Sequence, residues 1–528
     1  MKYKEGGSML MSRCEFMRSC AAITAGLPFA AQAEGLSRNA SVRKFHLSIS
    51  PDALNADHDL LKTVHAAGVS DIWLTGYMFG SWHYPLEEIR KWADRVEKEG
   101  MAAHIINIPL GHPGSVAGDM PPDWKPGVRP NGSGYYGTSL HPPATCENAD
   151  AMRRIESAGF TRVFLDDDFR LAQSPGAIGG CFCDYHRDLF MRESGFLPEK
   201  WKELLDAVTH RNLTPELDAW LSFSCDQLTN SFRIQQKSAP KVQVGIMVMY
   251  LGSEKAGIRL SDYRNTPFRV GEMMFDDDSF GSIKAKTNEL FSALFHRRFV
   301  RPELAFSETT AYPADRLSAA NMAAKLTVST IADVRNTMYM SGLTAFPRTY
   351  WESLGPAMKK QEGIHRRIAG HQLRGPFKHY WGERSRKVGD DNPFSLFLAM
   401  GIPFEVIDTP AHDGWTFLSD FDARVPGGLL SAGTVFVSRK ESDTQIREGR
   451  VLSESLEPLF AFKREIAPRL SGTPYVEEKT PVVCAWYPTA HAVLLWNLTE
   501  ERQTLTVRRG DVRRSISVDA LDSVLMEA

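Results

Sequence analysis

The chain has 528 residues, of which 43% are hydrophobic, a length and composition typical of a globular protein with one to four domains. Its 62 Lys and Arg residues nearly balance its 64 Asp and Glu residues, so no basic surface is expected and nucleic acid is not a predicted partner. Beyond the N-terminus no apolar run is long enough to predict a transmembrane helix, so no membrane partner is expected.

The first 33 residues have the organisation of an export signal. The segment Ser12-Arg-Cys-Glu-Phe-Met-Arg18 precedes a short apolar stretch, and Ala31-Gln-Ala33 fits a small-residue cleavage site. The pattern resembles a twin-arginine signal in which Cys14 replaces the second Arg. We therefore expect residues 1–33 to be a signal peptide and the mature protein to be periplasmic or extracellular; a disordered Ala-rich tail is the alternative.

From residue 44 onward, short β-rich runs alternate with charged amphipathic stretches of helical length. In one such stretch, residues 85–98, apolar side chains recur at three- and four-residue steps. Eight strands alternating with helices predict a (β/α)₈ barrel, a TIM barrel, over residues 40–372. A doubly wound sheet is the alternative, because strand order is not visible in a sequence. The predicted strands are residues 44–49, 71–75, 103–108, 162–165, 242–249, 269–275, 303–307 and 336–340.

The fourth predicted strand ends in three consecutive carboxylates, Asp166, Asp167 and Asp168. Three like charges at a strand end repel one another, so their presence needs a reason. An active site at the carboxyl end of a barrel strand would supply that reason. Glu308, at the predicted end of the seventh strand, can face Asp168 across a shared pocket. Glycoside hydrolysis requires such a pair of carboxyl groups, so both are predicted to be catalytic. For each acid taken alone, a role in a loop or a helix cap is the alternative.

The same strand ends carry candidate substrate-binding residues. Flat aromatic faces stack on the C–H surfaces of sugars, although buried Trp residues more often belong to a core. A second acidic run covers residues 276–278. It is predicted to bind sugar hydroxyls or a hard cation, and an exposed acidic loop is the alternative. The residues predicted to bind substrate are Asp166, Asp167, Trp73, Trp82, His112, Asp276, Tyr312 and Trp351.

A compact group of cysteine and histidine residues follows the acidic run. Cys181, Cys183 and His186 offer three ligands within one turn, and Cys181 and Cys183 are too close to form a comfortable disulfide. Tetrahedral zinc needs a fourth ligand, for which Cys146 is the candidate. The prediction is a closed, structural zinc site; two buried free thiols beside a surface histidine are the alternative.

The pattern changes near residue 370. Residues 379–386 are predicted to be a linker, and residues 373–475 a smaller α/β unit with a helix over 393–403. Residues 476–528 contain short β-rich runs separated by turns, which predict a small antiparallel β domain.

Together these residues resemble family-42 glycoside hydrolases, the bacterial β-galactosidases of the large retaining (β/α)₈ clan. That family has an Asp-Asn-Glu motif on strand four, which matches Asp166, Asp167 and Asp168 here. The resemblance implies that Asp168 is the general acid/base and Glu308 the nucleophile. It also implies that the cysteine–histidine cluster holds zinc, that residues 373–475 form an amidotransferase-like trimerisation domain, and that the protein is a homotrimer or another homo-oligomer.

Two departures from the family motif bear on the activity. Asp168 is one methylene shorter than Glu, a difference of about 1.5 Å in reach. The shorter side chain is compatible with retention of the anomeric configuration, or with a water between the two carboxyl groups and inversion. Asp167 replaces the Asn that contacts the sugar 2-hydroxyl, so the sugar is left open.

The leading hypothesis is an exported glycosidase that acts on an oligosaccharide or glycoside. The alternatives are a non-catalytic glycan-binding relative and a metal-dependent hydrolase or lyase that uses the two Asp triplets.

Overall fold

The computed structural model of the protein describes residues 43–110, 121–135, 140–166, 169–171, 174–271, 273–424, 434–441, 449–470 and 472–528. All of them belong to one compact unit, residues 41–528. No helix within these ranges is both long and apolar enough to cross a membrane.

Eight parallel strands form a closed barrel. Each strand pairs with the next along the chain, and the first also pairs with the eighth, which closes the ring. This confirms the (β/α)₈ barrel and rules out the doubly wound alternative for this part of the chain. The barrel strands are β1 (Lys44–Ile49), β2 (Asp71–Met78), β3 (Ala102–Ile108), β4 (Arg162–Leu165), β5 (Gln243–Met249), β6 (Phe268–Gly271), β7 (Ala305–Thr310) and β8 (Asn336–Met340).

Helices connect the barrel strands and cover them with apolar faces. In α3, for example, Ile89, Trp92 and Val96 are buried at helical spacing, and acidic residues occupy the first turn while basic residues occupy the last. The helices of this region are α1 (Pro51–Ala56), α2 (Leu60–Ala67), α3 (Leu86–Lys98), α4 (Pro142–Ser157), α5 (Asp184–Ser194), α6 (Lys200–His210), α7 (Pro215–Ser238), α8 (Asp277–Gly281), α9 (Ile283–His296), α10 (Ala319–Ile331) and α11 (Tyr350–Ile368).

The bounds of β6 and β7 differ from the prediction in ways that bear on the acidic residues. Strand β6 ends at Gly271 rather than at residue 275, because Asp276 already caps helix α8. Strand β7 begins at Ala305, after a 3₁₀ turn over Pro302–Leu304, and continues to Thr310, which pairs with Met340. Glu308 therefore lies within the paired part of β7 and not at its end.

A five-stranded parallel sheet follows the barrel, and we refer to this part as the α/β region. Its strands are β9 (Phe377–Tyr380), β10 (Phe404–Ile407), β11 (Trp415–Leu418), β12 (Val435–Ser438) and β13 (Gly449–Val451), in the order β10-β9-β11-β12-β13. This order is that of a flavodoxin-like doubly wound sheet. Its helices are α12 (Glu383–Val388) and α13 (Leu456–Ile466).

The predicted linker at residues 379–386 is wrong, because it overlaps an inner strand of this sheet. His379 and Trp381 are fully buried, and the backbone amide of Phe394 donates a hydrogen bond to the His379 ring. The predicted helix over 393–403 is also wrong, since the chain there forms only a 3₁₀ helix, Ser395–Ala399.

Two three-stranded antiparallel sheets end the chain, as the prediction of a small β domain required. Their strands are β14 (Tyr475–Val476), β15 (Val482–Tyr487), β16 (Ala492–Asn497), β17 (Gln503–Arg509), β18 (Val512–Val518) and β19 (Ser523–Glu527). The sheet orders are β14-β17-β18 and β15-β16-β19. The boundaries at residues 372 and 475 remain predictions.

Candidate active site and metal centre

The acidic run begins directly after β4. Asp166 is the first residue beyond the strand, and its backbone amide donates to the carbonyl of Asn107 on β3 at 2.7 Å. Its carboxylate is buried and forms an ion pair with Arg269. Asp167 and Asp168 lie outside the described residues.

Glu308 lies on β7 and is 3% exposed. The Arg269 Nε atom is 3.0 Å from a Glu308 carboxylate oxygen, and the Thr310 hydroxyl donates a hydrogen bond to the same carboxylate. A cation and a hydroxyl donor both favour the ionised form of a carboxyl group. Burial of the Glu308 side chain opposes this effect, because it disfavours the charged form.

Arg269 joins these two acids and was missed by the reading of the sequence. It lies on β6, is fully buried, and contacts the sulfur atoms of Met247 on β5 and Met338 on β8 at 3.3 and 2.8 Å. Met247 and Met338 lie on strands on either side of β6, so these contacts place the guanidinium inside the barrel. Burial lowers the pKa of Arg269, and the charge of Glu308 opposes that shift.

Four aromatic residues are predicted to stack on a sugar, and two of them, Trp73 and Trp351, are core residues. Trp73 is 2% exposed and lies among His104, Phe164 and Phe306 inside the barrel. Trp351 is 3% exposed and packs against Tyr339 and Phe346. Buried rings offer no face to a sugar, so these two predictions are corrected.

The other two aromatic residues are more accessible. Trp82 follows β2 in a short hairpin, packs on Tyr77, and has the Arg154 guanidinium 4.9 Å from its ring centre. Tyr312 follows β7 and is 66% exposed. Tyr312 therefore remains the stronger candidate for sugar stacking, and His112 lies outside the described residues.

Asp276 has a structural role. Its carboxylate accepts the backbone amide of Ser279 at 2.6 Å and caps helix α8, and these bonds lower its pKa. Its neighbour Asp277 accepts hydrogen bonds from the backbone of Ser318 and the side chain of Asn321. The prediction that Asp276 binds substrate is corrected, because the carboxylate is used as a cap.

The cysteine–histidine cluster is present with a different fourth member. Ligand atoms of His141, Cys181, Cys183 and His186 all lie within 4.8 Å of one another. Cys146 is not part of this group: His141 immediately precedes helix α4, whereas Cys146 lies more than one turn into it. The predicted set Cys146, Cys181, Cys183 and His186 is therefore corrected at its first position.

The donor set of this cluster suits a metal ion. The Cys183 sulfur is 3.2 Å from His186 Nδ1 and 3.7 Å from His141 Nε2. A hydrogen bond from the Cys181 thiol lowers the pKa of Cys183, and hydrogen bonds with His141 and His186 act in the same direction. The bond with Cys183, together with burial, raises the pKa of Cys181. His186 Nε2 is buried without a hydrogen-bond partner among the described residues. Two thiolates and two imidazoles at these separations match tetrahedral zinc coordination.

Comparisons with known proteins identify the fold. No family model and no curated protein matches the sequence. Among solved structures, the cold-adapted β-galactosidase from Rahnella sp. R3 aligns with a TM-score of 0.60 at 12% identity over 92% of this chain and 98% of that one. The β-galactosidase from the psychrophilic Marinomonas ef1 gives 0.59 at 9% identity over 92% and 100%.

A third similar structure extends this agreement. The β-galactosidase from Bacillus circulans sp. alkalophilus has a TM-score of 0.53 at 11% identity, over 92% of this chain and 81% of that one. The resemblance found in the sequence is thus confirmed at the level of the fold: this chain is a divergent protein with the architecture of bacterial β-galactosidases.

Proposed function

We propose that the protein is a glycoside hydrolase with a paired-carboxylate mechanism. The observation that carries the proposal is the buried Arg269, whose guanidinium contacts both Asp166 after β4 and Glu308 on β7. It brings Asp166, the first residue of the acidic run, and Glu308 to one place inside the barrel. The fold shared with β-galactosidases supports the same reaction class.

In this mechanism Glu308 is the nucleophile and Asp168 the general acid/base. Asp168 follows Asp166 by two residues in the chain, and two residues span at most about 7 Å. Asp168 protonates the glycosidic oxygen of the leaving group, and ionised Glu308 attacks the anomeric carbon. The same Asp168 then activates the water that releases the sugar. Asp166 neutralises Arg269 beside the reacting groups.

Hydrolysis of a panel of aryl glycosides that begins with galactosides tests this function. We expect turnover by the wild type, a loss of about 10²–10⁴-fold for Asp168→Asn, and a larger loss for Glu308→Gln. Asp278→Asn, in the exposed second acidic run, is the matched control and should retain wild-type rates. Equal rates for all four proteins, or no turnover of any substrate by the wild type, would contradict the proposal.

A non-catalytic glycan-binding protein is the second candidate. The observation that favours it is the departure of the strand-four motif from Asp-Asn-Glu, since Asp167 and Asp168 stand where the family has Asn and Glu. Calorimetric sugar binding without turnover in the same panel would establish this alternative.

We further propose that the cluster of His141, Cys181, Cys183 and His186 holds a structural zinc ion. All four protein ligands are supplied, so a bound zinc is closed to substrate and fixes the loop after β4. Export to the periplasm or beyond, and a homotrimer or other homo-oligomer, belong to the same proposal and rest on the sequence.

A further inference from the structure

One segment of the α/β region makes unusually close contacts with the barrel. Residues 382–391, which include helix α12, follow the inner strand β9 and meet the loops that leave β4 and β5. The Ser253 hydroxyl donates to the carbonyl of Arg386 at 3.0 Å, and the Arg386 side chain pairs with Glu254. We call residues 382–391 the docking segment.

Lys255, in the loop after β5, connects the docking segment to the loop after β4. Its ammonium group, 1% exposed, forms an ion pair with Asp391 and donates to the carbonyl of Ser385 at 2.8 Å. Its own backbone carbonyl accepts the amide of Gly179, and the next carbonyl, of Ala256, accepts the amide of Leu171, both at 2.7 Å. Lys255 and its neighbour Ala256 therefore connect the docking segment to two points of the loop after β4, Leu171 and Gly179.

Arg211 makes a second connection at the same place. Its guanidinium donates to the carbonyl of Gly176 in the loop after β4 at 2.6 Å, and to the carbonyls of Val388 and Gly389 at 2.9 and 2.8 Å. Gly176 itself approaches the docking segment so closely that a Cβ atom would lie 2.7 Å from the Asp390 carbonyl oxygen. The two backbones are thus in direct contact around Arg211.

We propose that Lys255 and Arg211 are positioning residues through which the α/β region holds the loop after β4 in its catalytic arrangement. The inference rests on the proposed function, because this loop carries the acidic run at its start and Cys181 and Cys183 further along. Leu171, which Ala256 holds, lies three residues after Asp168 in the chain. Loss of the Lys255 charge leaves the buried Asp391 without its cation, so the docking segment cannot keep the same contact.

Lys255→Met and Arg211→Met test the proposal against a matched control, Arg298→Met. Arg298 also joins the barrel to the α/β region, but its side chain bonds to Asp408 and the carbonyl of Val406 rather than to the loop after β4. Hydrogen–deuterium exchange is followed in peptides that contain Leu171 and Gly179. We expect at least tenfold faster exchange there in the first two variants and no change in the control.

Kinetics separate positioning from general destabilisation. Displacement of the general acid affects substrates with basic leaving groups most, because dinitrophenolate leaves without protonation. We expect kcat/KM, which reports the step that expels the leaving group, to fall roughly tenfold to hundredfold for a phenyl glycoside in Lys255→Met and Arg211→Met, and to fall less for the dinitrophenyl glycoside. The control variant should lose neither activity.

Each result decides one of two questions. Unchanged exchange in both Lys255→Met and Arg211→Met, or equal changes in Arg298→Met, overturns the positioning role. An equal fall for both leaving groups in a folded variant also overturns it. If the wild type hydrolyses no glycoside, the proposed function fails, and the exchange measurement alone decides whether the docking segment holds the loop.

Discussion

Arg269 is the residue on which the candidate active site depends most. A guanidinium fully enclosed in a barrel is costly to desolvate, and two carboxylates and the Phe164 ring, 5.5 Å away, offset that cost. The sequence made Asp166 and Glu308 visible as acids at strand ends. It did not reveal Arg269, because one Arg in a short strand does not show whether it faces the barrel interior or the helices.

Replacement of Arg269 by Met should destabilise the protein by about 3–5 kcal/mol, because two buried carboxylates lose their cation. Urea unfolding measures the change. Arg502→Met is the control, since both side chains of its ion pair with Asp519 are exposed and the pair should contribute about 1 kcal/mol or less. Equal stability of Arg269→Met and wild type would show that the buried ion pairs do not hold this site.

At the scale of elements, the loop after β4 combines the acidic run, the contacts with the α/β region and half of the metal cluster. The spacing of Cys181, Cys183 and His186 revealed a metal site, since three ligands lie within a single loop and helix start. The fourth ligand depends on which residue of a separate helix faces that loop. Sequence order favoured Cys146, whereas the N-terminal end of α4 presents His141.

Cys183→Ser should release the metal and lower the melting temperature, because a tetrahedral site loses one of its four ligands. Elemental analysis of the purified protein should find one zinc per chain in the wild type and in the control Cys146→Ser, and a reduced content in Cys183→Ser. Full metal content in Cys183→Ser, or loss of metal in Cys146→Ser, would contradict the His141-containing set.

At the scale of the whole molecule, the apolar strands of the barrel could be predicted from the sequence, whereas the short, partly polar strand β9 could not. The barrel emerged because its strands are β-rich runs between clear helical stretches. Strand β9 was mistaken for part of a linker because Phe377-Lys-His-Tyr380 contains two polar residues and lies between Gly375 and Gly382. Only tertiary packing, which buries His379 among Phe291, Trp381 and Phe397, makes it an inner strand.

Buried neutral histidines in the barrel and in the α/β region predict a loss of stability in mild acid. Burial lowers the pKa of His46 and His296 to about 4 and that of His379 to about 3, from a usual 6.5. Between these values the unfolded chain binds protons that the folded chain does not, so unfolding becomes easier as the pH falls. Stability should therefore be greatest above pH 6.5 and decline towards pH 4.

The urea midpoint measured across this pH range checks the expectation. His379→Gln keeps a hydrogen-bonding side chain but cannot titrate, so its decline should be shallower than that of the wild type. A midpoint that is independent of pH, or one that rises on acidification, would contradict the burial of these histidines as neutral groups.

Covalent trapping is the most direct test of the catalytic role of Glu308. A 2-fluoro glycoside with a dinitrophenyl leaving group, matched to the best substrate of the aryl panel, should form a stable adduct because the fluorine slows its hydrolysis. Peptide mapping by mass spectrometry is expected to place one glycosyl group per chain on Glu308, with no label in Glu308→Gln. A label on another carboxylate, or hydrolysis with inversion and no adduct, would contradict the pairing of Glu308 with Asp168.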